Sequence, residues 1–166
     1  MMKSENNLRH RVRLFIFGLL LLLNMLLIFY MSGKSGAASR EMSDQLTQSL
    51  LGRILTRILP PLMENKTGTI RKYAHIFEFF CLGLSSFLFF YELFLARMHR
   101  LSRSVLAASC WSFLYACSDE WHQTFVPERA GQAKDLLFDS AGFLFGIAIL
   151  GFSVFMRRRR KGGVPQ

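Results

Sequence analysis

Cysteine is scarce in this chain, with three among 166 residues. Cys81, Cys110 and Cys117 all fall within apolar runs, where a thiol behaves as a small hydrophobe. Cys110 and Cys117 are seven positions apart on one helix, about 10 Å along its axis, which is too far for them to bridge each other. The sequence therefore implies no disulfide framework and leaves the redox compartment open. Acidic residues are also few, 11 against 21 Lys and Arg. There is no HExxH, no GxSxG and no P-loop pattern, so the chain lacks those signatures of zinc proteases, serine hydrolases and nucleotide-binding enzymes. It also has no internal repeat and no low-complexity tract.

What is abundant is apolar surface. Hydrophobic residues make up 51% of the chain and seventeen are Phe, with a mean hydropathy of +0.25. A water-soluble fold of this size would not hide that much, whereas a small bundle of membrane spans displays it to lipid. The net charge of +10 would suggest nucleic acid in a soluble protein, but the basic residues flank the apolar runs. Lys3, Arg9, Arg11 and Arg13 precede the first run, Arg97, Arg100 and Arg103 interrupt the middle, and Arg157, Arg158, Arg159, Arg160 and Lys161 follow the last. These short clusters lack interleaved aromatics, and anionic lipid headgroups account for them without a nucleic-acid partner.

The pattern predicts an all-α membrane protein, a bundle of four transmembrane helices plus an outer amphipathic helix. Residues 1–13 form a basic cytoplasmic N-terminus, 14–156 the membrane domain and 157–166 a basic cytoplasmic tail. The spans fall at about 14–31, 73–95, 101–117 and 136–156. The first has Asn24 as its one polar residue, expected to hydrogen-bond across helices. It exceeds the h-region of a cleaved signal peptide, although Gly36, Ala37 and Ala38 keep that alternative open. The third is the thinnest, broken by Ser104, Ser109 and Ser112. The fourth carries Gly142 and Gly146, a GxxxG spacing that lets another helix approach closely. Short loops rich in Lys and Arg stay cytoplasmic, which puts both termini and the loop near Arg97 inside. The segments 32–72 and 118–134 then lie outside, although the first of them carries more bases than acids.

Within that first outer segment Leu46, Leu50, Ile54 and Ile58 recur every fourth residue, joined by Leu51, Leu55 and Leu59, and predict an amphipathic helix over about 44–59. Asp44 is placed to cap its start, and Pro60 with Pro61 stops it. Such a helix lies on the outer leaflet or folds back over the bundle.

A charge at membrane depth costs on the order of 3 kcal/mol, so each one needs a partner or a task. His75 and Glu78 share a helical face that Arg71 extends toward water. Ser112, Tyr115, Asp119 and His122 follow a 3, 4, 3 spacing, one stripe that grows more polar outward, with Glu120 and Gln123 beside it. That helix should stop near Pro127, leaving Val126 to Gly131 as a turn. Asp135 and Asp139 then stand one turn apart on the side of Gly142 and Gly146. Antiparallel spans bring Arg71, Lys72, His75, Glu78, Asp119, Glu120, His122, Gln123, Arg129, Asp135 and Asp139 to one level, the predicted ligand-binding set. So many acids cannot all be ionised in a dry site, and some must be protonated, solvated or metal-bound. His75, Glu78, His122 and an Asp are ordinary ligands for zinc or a harder cation, but the spacing alone assigns no cofactor. The alternative is a buried polar network that fixes helix register. Glu92 reads as a residue of the inner interface that snorkels or pairs with Arg97.

The segment from Arg71 to Glu78, the run Ser118 to Arg129, and Asp135 with Asp139 before a glycine-bearing span together resemble the VanZ-like family. The resemblance covers roughly 31–151. It points to Lys72, His75 and Glu78 in the first motif, to Asp119, Glu120, His122, Gln123, Phe125, Pro127 and Arg129 in the second, and then to Asp135 and Asp139. Glu128 departs from the pattern, which commonly has glycine there, and this bears on where Arg129 aims. The family takes its name from an accessory protein that lowers sensitivity to teicoplanin, and it implies a bacterial cytoplasmic-membrane, cell-envelope location. The leading expectation is an outer pocket that binds a membrane lipid, a lipid-linked cell-wall precursor or a lipoglycopeptide. One rival is a membrane-embedded hydrolase, with Glu78, Asp119 or Glu120 as acid or base and His75 and His122 carrying protons or a metal. The other is a partner subunit of an envelope assembly, docking through Gly142 and Gly146.

Overall fold

The computed structural model describes residues 2–58, 66–95, 100–129, 131 and 133–162, and among these there are six helices and no strand. They are α1 (Met2–Ser32), α2 (Gly36–Gln48), α3 (Leu50–Ile58), α4 (Lys66–Leu93), α5 (Arg100–Gln123) and α6 (Ala133–Gly162). The long helices α1, α4, α5 and α6 run alternately up and down. Ser32 at the end of α1 meets Asp119 near the end of α5, while His10 near the start of α1 meets Glu92 near the end of α4.

Three of the helices are long and apolar enough to cross a membrane: Glu5–Ser32, Lys66–Leu93 and Lys134–Arg160. Their outward faces are greasy, with Phe15, Leu23, Phe77, Leu137 and Phe145 exposed, the inverse of a water-soluble protein. The fourth long helix, α5, falls short in composition for a structural reason. Ser104, Ala108, Ser112 and Ala116 recur every fourth residue and are fully buried, whereas Leu106, Phe113 and Leu114 face outward. Small and polar residues on the inner face let backbones approach closely, and Ser112 Oγ meets Ser86 Oγ of α4 at 3.0 Å.

The core is built around α4, with Phe79, Leu82 and Phe87 buried against Leu21 and Ile28 of α1 and Phe143 and Ile147 of α6. Glycines set the α4–α6 spacing. A methyl group at Gly142 would lie 2.5 Å from the Ile76 carbonyl oxygen and one at Gly146 2.5 Å from that of Phe80, while one at Gly83 would collide with the Phe143 backbone. The GxxxG face is therefore occupied by α4 of the same chain. It is not the free surface that a docking partner subunit would need.

The single amphipathic helix expected at 44–59 is instead two helices. The first begins at Gly36, capped by Ser35, whose Oγ accepts from Ala38 N at 3.2 Å. Asp44 is thus mid-helix, with its carboxylate accepting from Thr67 Oγ1. The break is at Ser49, which is extended (φ −66°, ψ 160°) and whose Oγ accepts from Gly52 N at 3.0 Å, starting α3. A side chain at Gly52 would strike the Leu46 backbone, so glycine is what allows α3 to fold back on α2. The apolar period runs straight through this break, which is why periodicity alone misses it. Leu50, Leu51 and Ile58 remain exposed on α3. Leu59, Pro60 and Pro61 lie outside the described residues, as does Arg97.

Two polar expectations inside the bundle are corrected. Asn24 does not reach across helices; its Nδ2 donates to Leu20 O of its own helix at 3.1 Å. Glu92 is 5% exposed and does not snorkel. Its carboxylate meets His10 Nδ1 at 2.9 Å, Arg13 Nε at 3.1 Å and a terminal nitrogen of Arg100 at 3.5 Å, tying α1, α4 and α5 together at that end. Arg100 also donates to Tyr91 O at 2.6 Å and lies over the Tyr91 ring.

Candidate functional site

At the opposite end, α2 roofs a cavity of about 240 Å³ between itself, the first turns of α4 and the α5–α6 turn. Arg71, Lys72, His75 and Glu78 line it from α4, Gln123 from α5, and Arg129 and Asp135 from the turn and α6. Of the predicted set, these seven are brought together around one space. Met31, Met42, Leu46 and Ile70 give the same cavity an apolar side, and Lys34, Ser39 and Ser43 add polar atoms that the sequence reading missed. The Ser39, Ser43 spacing along α2 was the available signal, since an i, i+4 pair shares one face.

The roof is fastened by backbone and charge. Gly36 N donates to Pro127 O at 3.0 Å, Arg40 pairs with Glu128, and a side chain at Gly36 would overlap Glu128. Glu128 has φ 60°, the left-handed region that a glycine enters without steric cost. The departure from the family pattern therefore keeps the glycine-like backbone and adds a carboxylate that grips α2. Arg129 follows with its guanidinium 3.4 Å from Met31 O. Burial lowers its pKa from the ordinary value, and the nearby Arg71 cation lowers it further.

Below the roof, the charges sort by depth. Lys72 pairs with Asp135 near the mouth. His75, one turn further along α4, has Nδ1 3.3 Å from Glu78 Oε2 and Nε2 3.6 Å from Asp119 Oδ2 and 3.5 Å from Asp139 Oδ1. Asp119 is buried, and its Oδ2 accepts from Ser32 Oγ at 2.9 Å and Gln123 Nε2 at 2.8 Å. Ser32 is the polar residue by which α1 enters the site, and it lay outside the predicted set. Asp139 is 0% exposed. Glu120 reaches this cluster too, offering a carboxylate oxygen that with atoms of His75 and Asp139 forms a group within 4.8 Å of one another.

His122 does not join them. Its ring stacks on Phe29 of α1 with centroids 4.4 Å apart, and it lines a separate apolar hollow with Tyr115, Trp121 and Phe125. The Tyr115, Asp119, His122 stripe is real but is covered largely by α1, for Tyr115 Oη also donates to Met25 O at 2.5 Å. Which neighbour covers a helix face is decided by packing, and periodicity carries no information about it.

Imidazole, carboxylates, a guanidinium and an ammonium around one cavity can bind an anion at the mouth, move a proton at the floor, or hold a cation there. No curated protein and no solved structure matches the chain. The VanZ/LLP1 family model matches residues 17–155, a span that holds every residue described around the cavity, and the chain belongs to that family.

Proposed function

We propose that the protein is a four-span protein of the bacterial cytoplasmic membrane whose extracytoplasmic cavity binds the anionic headgroup of an envelope lipid or lipid-linked precursor, lowering sensitivity to a glycopeptide such as teicoplanin. The observation that carries this reading is the make-up of the cavity. Arg71, Lys72, Lys34 and Arg129 supply cationic donors to the lining and Met31, Met42, Leu46 and Ile70 supply apolar surface, the complement of an amphiphile. The exposed apolar face of α3 beside it fits a helix lying on the outer leaflet.

Support for the topology comes from length and charge. At 24 residues, α5 extends about 36 Å, enough for a hydrocarbon core of about 30 Å, and its outward face is apolar. An even number of spans leaves the basic flanks of α1 and α6 and the α4–α5 connection on the cytoplasmic side. Because α1 supplies Ser32 and the Met31 carbonyl to the site, its retention as a span agrees with this reading better than its cleavage.

Native mass spectrometry of the chain, extracted gently from its own membrane, tests the proposal. A retained anionic lipid, lost in a folded Arg71→Gln, Arg129→Gln double variant, is the expected result, together with a fall in teicoplanin sensitivity on expression that the double variant lacks. A wild-type spectrum free of lipid together with unchanged teicoplanin sensitivity would sink it. A hydrolase remains the second reading, favoured by His75 standing between carboxylates at the cavity floor. Turnover of a lipid-linked substrate that Asp139→Asn abolishes without loss of lipid binding would select it.

A further inference from the structure

We infer that His75, Asp139 and Glu120, with Asp119 beside them, hold one divalent transition ion of the zinc class at the floor of the cavity. The argument starts from Asp139. It is fully buried, and among the described residues neither of its carboxylate oxygens has a hydrogen-bond partner. A buried carboxyl in that condition is either protonated or beside a positive centre, and a metal ion supplies the second. Neither nearby cation forms an ion pair with Asp139: Lys72 pairs with Asp135, and Arg129 approaches Met31 O. Among the described residues the basic side chain that reaches Asp139 is His75, with Nε2 at 3.5 Å.

His75 is oriented as a metal ligand. Glu78 faces Nδ1 at 3.3 Å, so a proton held there leaves the Nε2 lone pair directed at Asp139 and Asp119. A carboxylate on the far nitrogen is the usual partner of a metal-bound imidazole, fixing tautomer and ring plane. A lone pair aimed at two carboxylates is repulsive, and either a proton or a metal cation between them relieves it. The spacing agrees. Ligand atoms bound tetrahedrally to zinc lie roughly 3.3–3.6 Å apart, from bond lengths of about 2.0–2.2 Å. The observed separations are 3.5 Å from Nε2 to Asp139 and 3.6 Å to Asp119, at the long limit for hydrogen bonds.

Glu120 closes the set, its ligand atom lying within 4.8 Å of those of His75 and Asp139. One imidazole with carboxylates suits zinc or manganese, whereas magnesium and calcium favour oxygen alone. His75 and Glu78 also line the cavity, so the ion has one side toward it, where water or a headgroup oxygen completes the coordination. Residue by residue this differs from the His75, Glu78, His122 set read from sequence: Glu78 orients His75, and His122 stacks on Phe29 instead.

The test uses the full chain in detergent, stripped with a chelator, desalted, then titrated with Zn²⁺ or Co²⁺. We expect one zinc per chain by elemental analysis and visible d–d absorption on cobalt binding. Asp139→Asn and His75→Ala should each lose both signals while elution and far-UV circular dichroism stay those of the wild type. Glu78→Gln, which leaves the ligands in place, should weaken binding by about 10–100-fold yet reach one ion at saturation. If His75→Ala does not fold, Asp139→Asn and Glu78→Gln decide the question. Folded wild-type protein with neither zinc nor a cobalt spectrum overturns the assignment, and so does a cobalt spectrum unchanged in Asp139→Asn. The metal does not depend on the lipid reading: one bound ion with no retained lipid and unchanged teicoplanin sensitivity would defeat the latter and uphold the former.

Discussion

At one end of the bundle Glu92 is buried among three nitrogen-bearing side chains, His10, Arg13 and Arg100, while at the other Asp139 is buried with His75 Nε2 3.5 Å away. Both carboxylates lie near helix ends and both are nearly inaccessible. The first is satisfied from α1, α4 and α5 at once, an arrangement that fixes how those helices meet. The second is under-satisfied and sits beside a cavity. Buried polar groups left without partners are costly to keep, so the contrast sets a structural clasp against the site proposed to hold an ion.

The largest effect should come from the clasp. Glu92→Ala leaves Arg100 and His10 without their acid and should destabilise the fold by about 3 kcal/mol, the low end for breaking a buried pair because Arg13 is half-exposed and keeps its water. Thermal unfolding in detergent measures this, and a midpoint equal to the wild type would erase the distinction between the ends. The matching change at the other end should have the opposite sign. In metal-free protein, Asp139→Asn replaces a buried carboxyl that lacks a hydrogen-bond partner with a neutral group of the same shape, and should stabilise by about 1 kcal/mol. A lowered midpoint in the same assay would show Asp139 to be as structural as Glu92. Smallest is the turn that holds the roof. Glu128→Gly relieves a left-handed residue worth about 1 kcal/mol but gives up the exposed pair with Arg40, worth a few tenths. The expected net gain is about 0.5 kcal/mol, and a loss of more than that would mean the ion pair dominates.

How far the sequence could be read depended on whether a feature was local to one helix. Gly142 and Gly146 announced a close helix contact, and Asp135 and Asp139 were rightly placed on the same side, because both statements need only the helical period. The apolar runs likewise marked the three most hydrophobic helices. What failed needed knowledge of neighbours. Glu92 was read as snorkelling or pairing with Arg97, which lies outside the described residues; it is instead buried, and His10, 82 positions away, reaches it through α1. His122 shares a stripe with Asp119, but α1 covers that stripe and Phe29 takes the ring. Glu120, set beside the stripe but within the converging set, does reach the His75, Asp139 cluster. The break at Ser49 was hidden because leucines and isoleucines continue the four-residue period on both sides of it.

The grip of Arg40 on Glu128 reaches beyond this one molecule. A residue other than glycine is held in a left-handed turn where its side chain has a cation to meet on α2, and glycine needs no such anchor. Positions 40 and 128 should therefore vary together among related chains, with an acid at the second accompanied by a base at the first and a glycine there releasing it. Where that correlation holds, the roof of the cavity is fastened at this turn by charge; where glycine stands alone, the backbone bond between the equivalents of Gly36 and Pro127 holds the turn without it, and the entrance in those chains should open more readily.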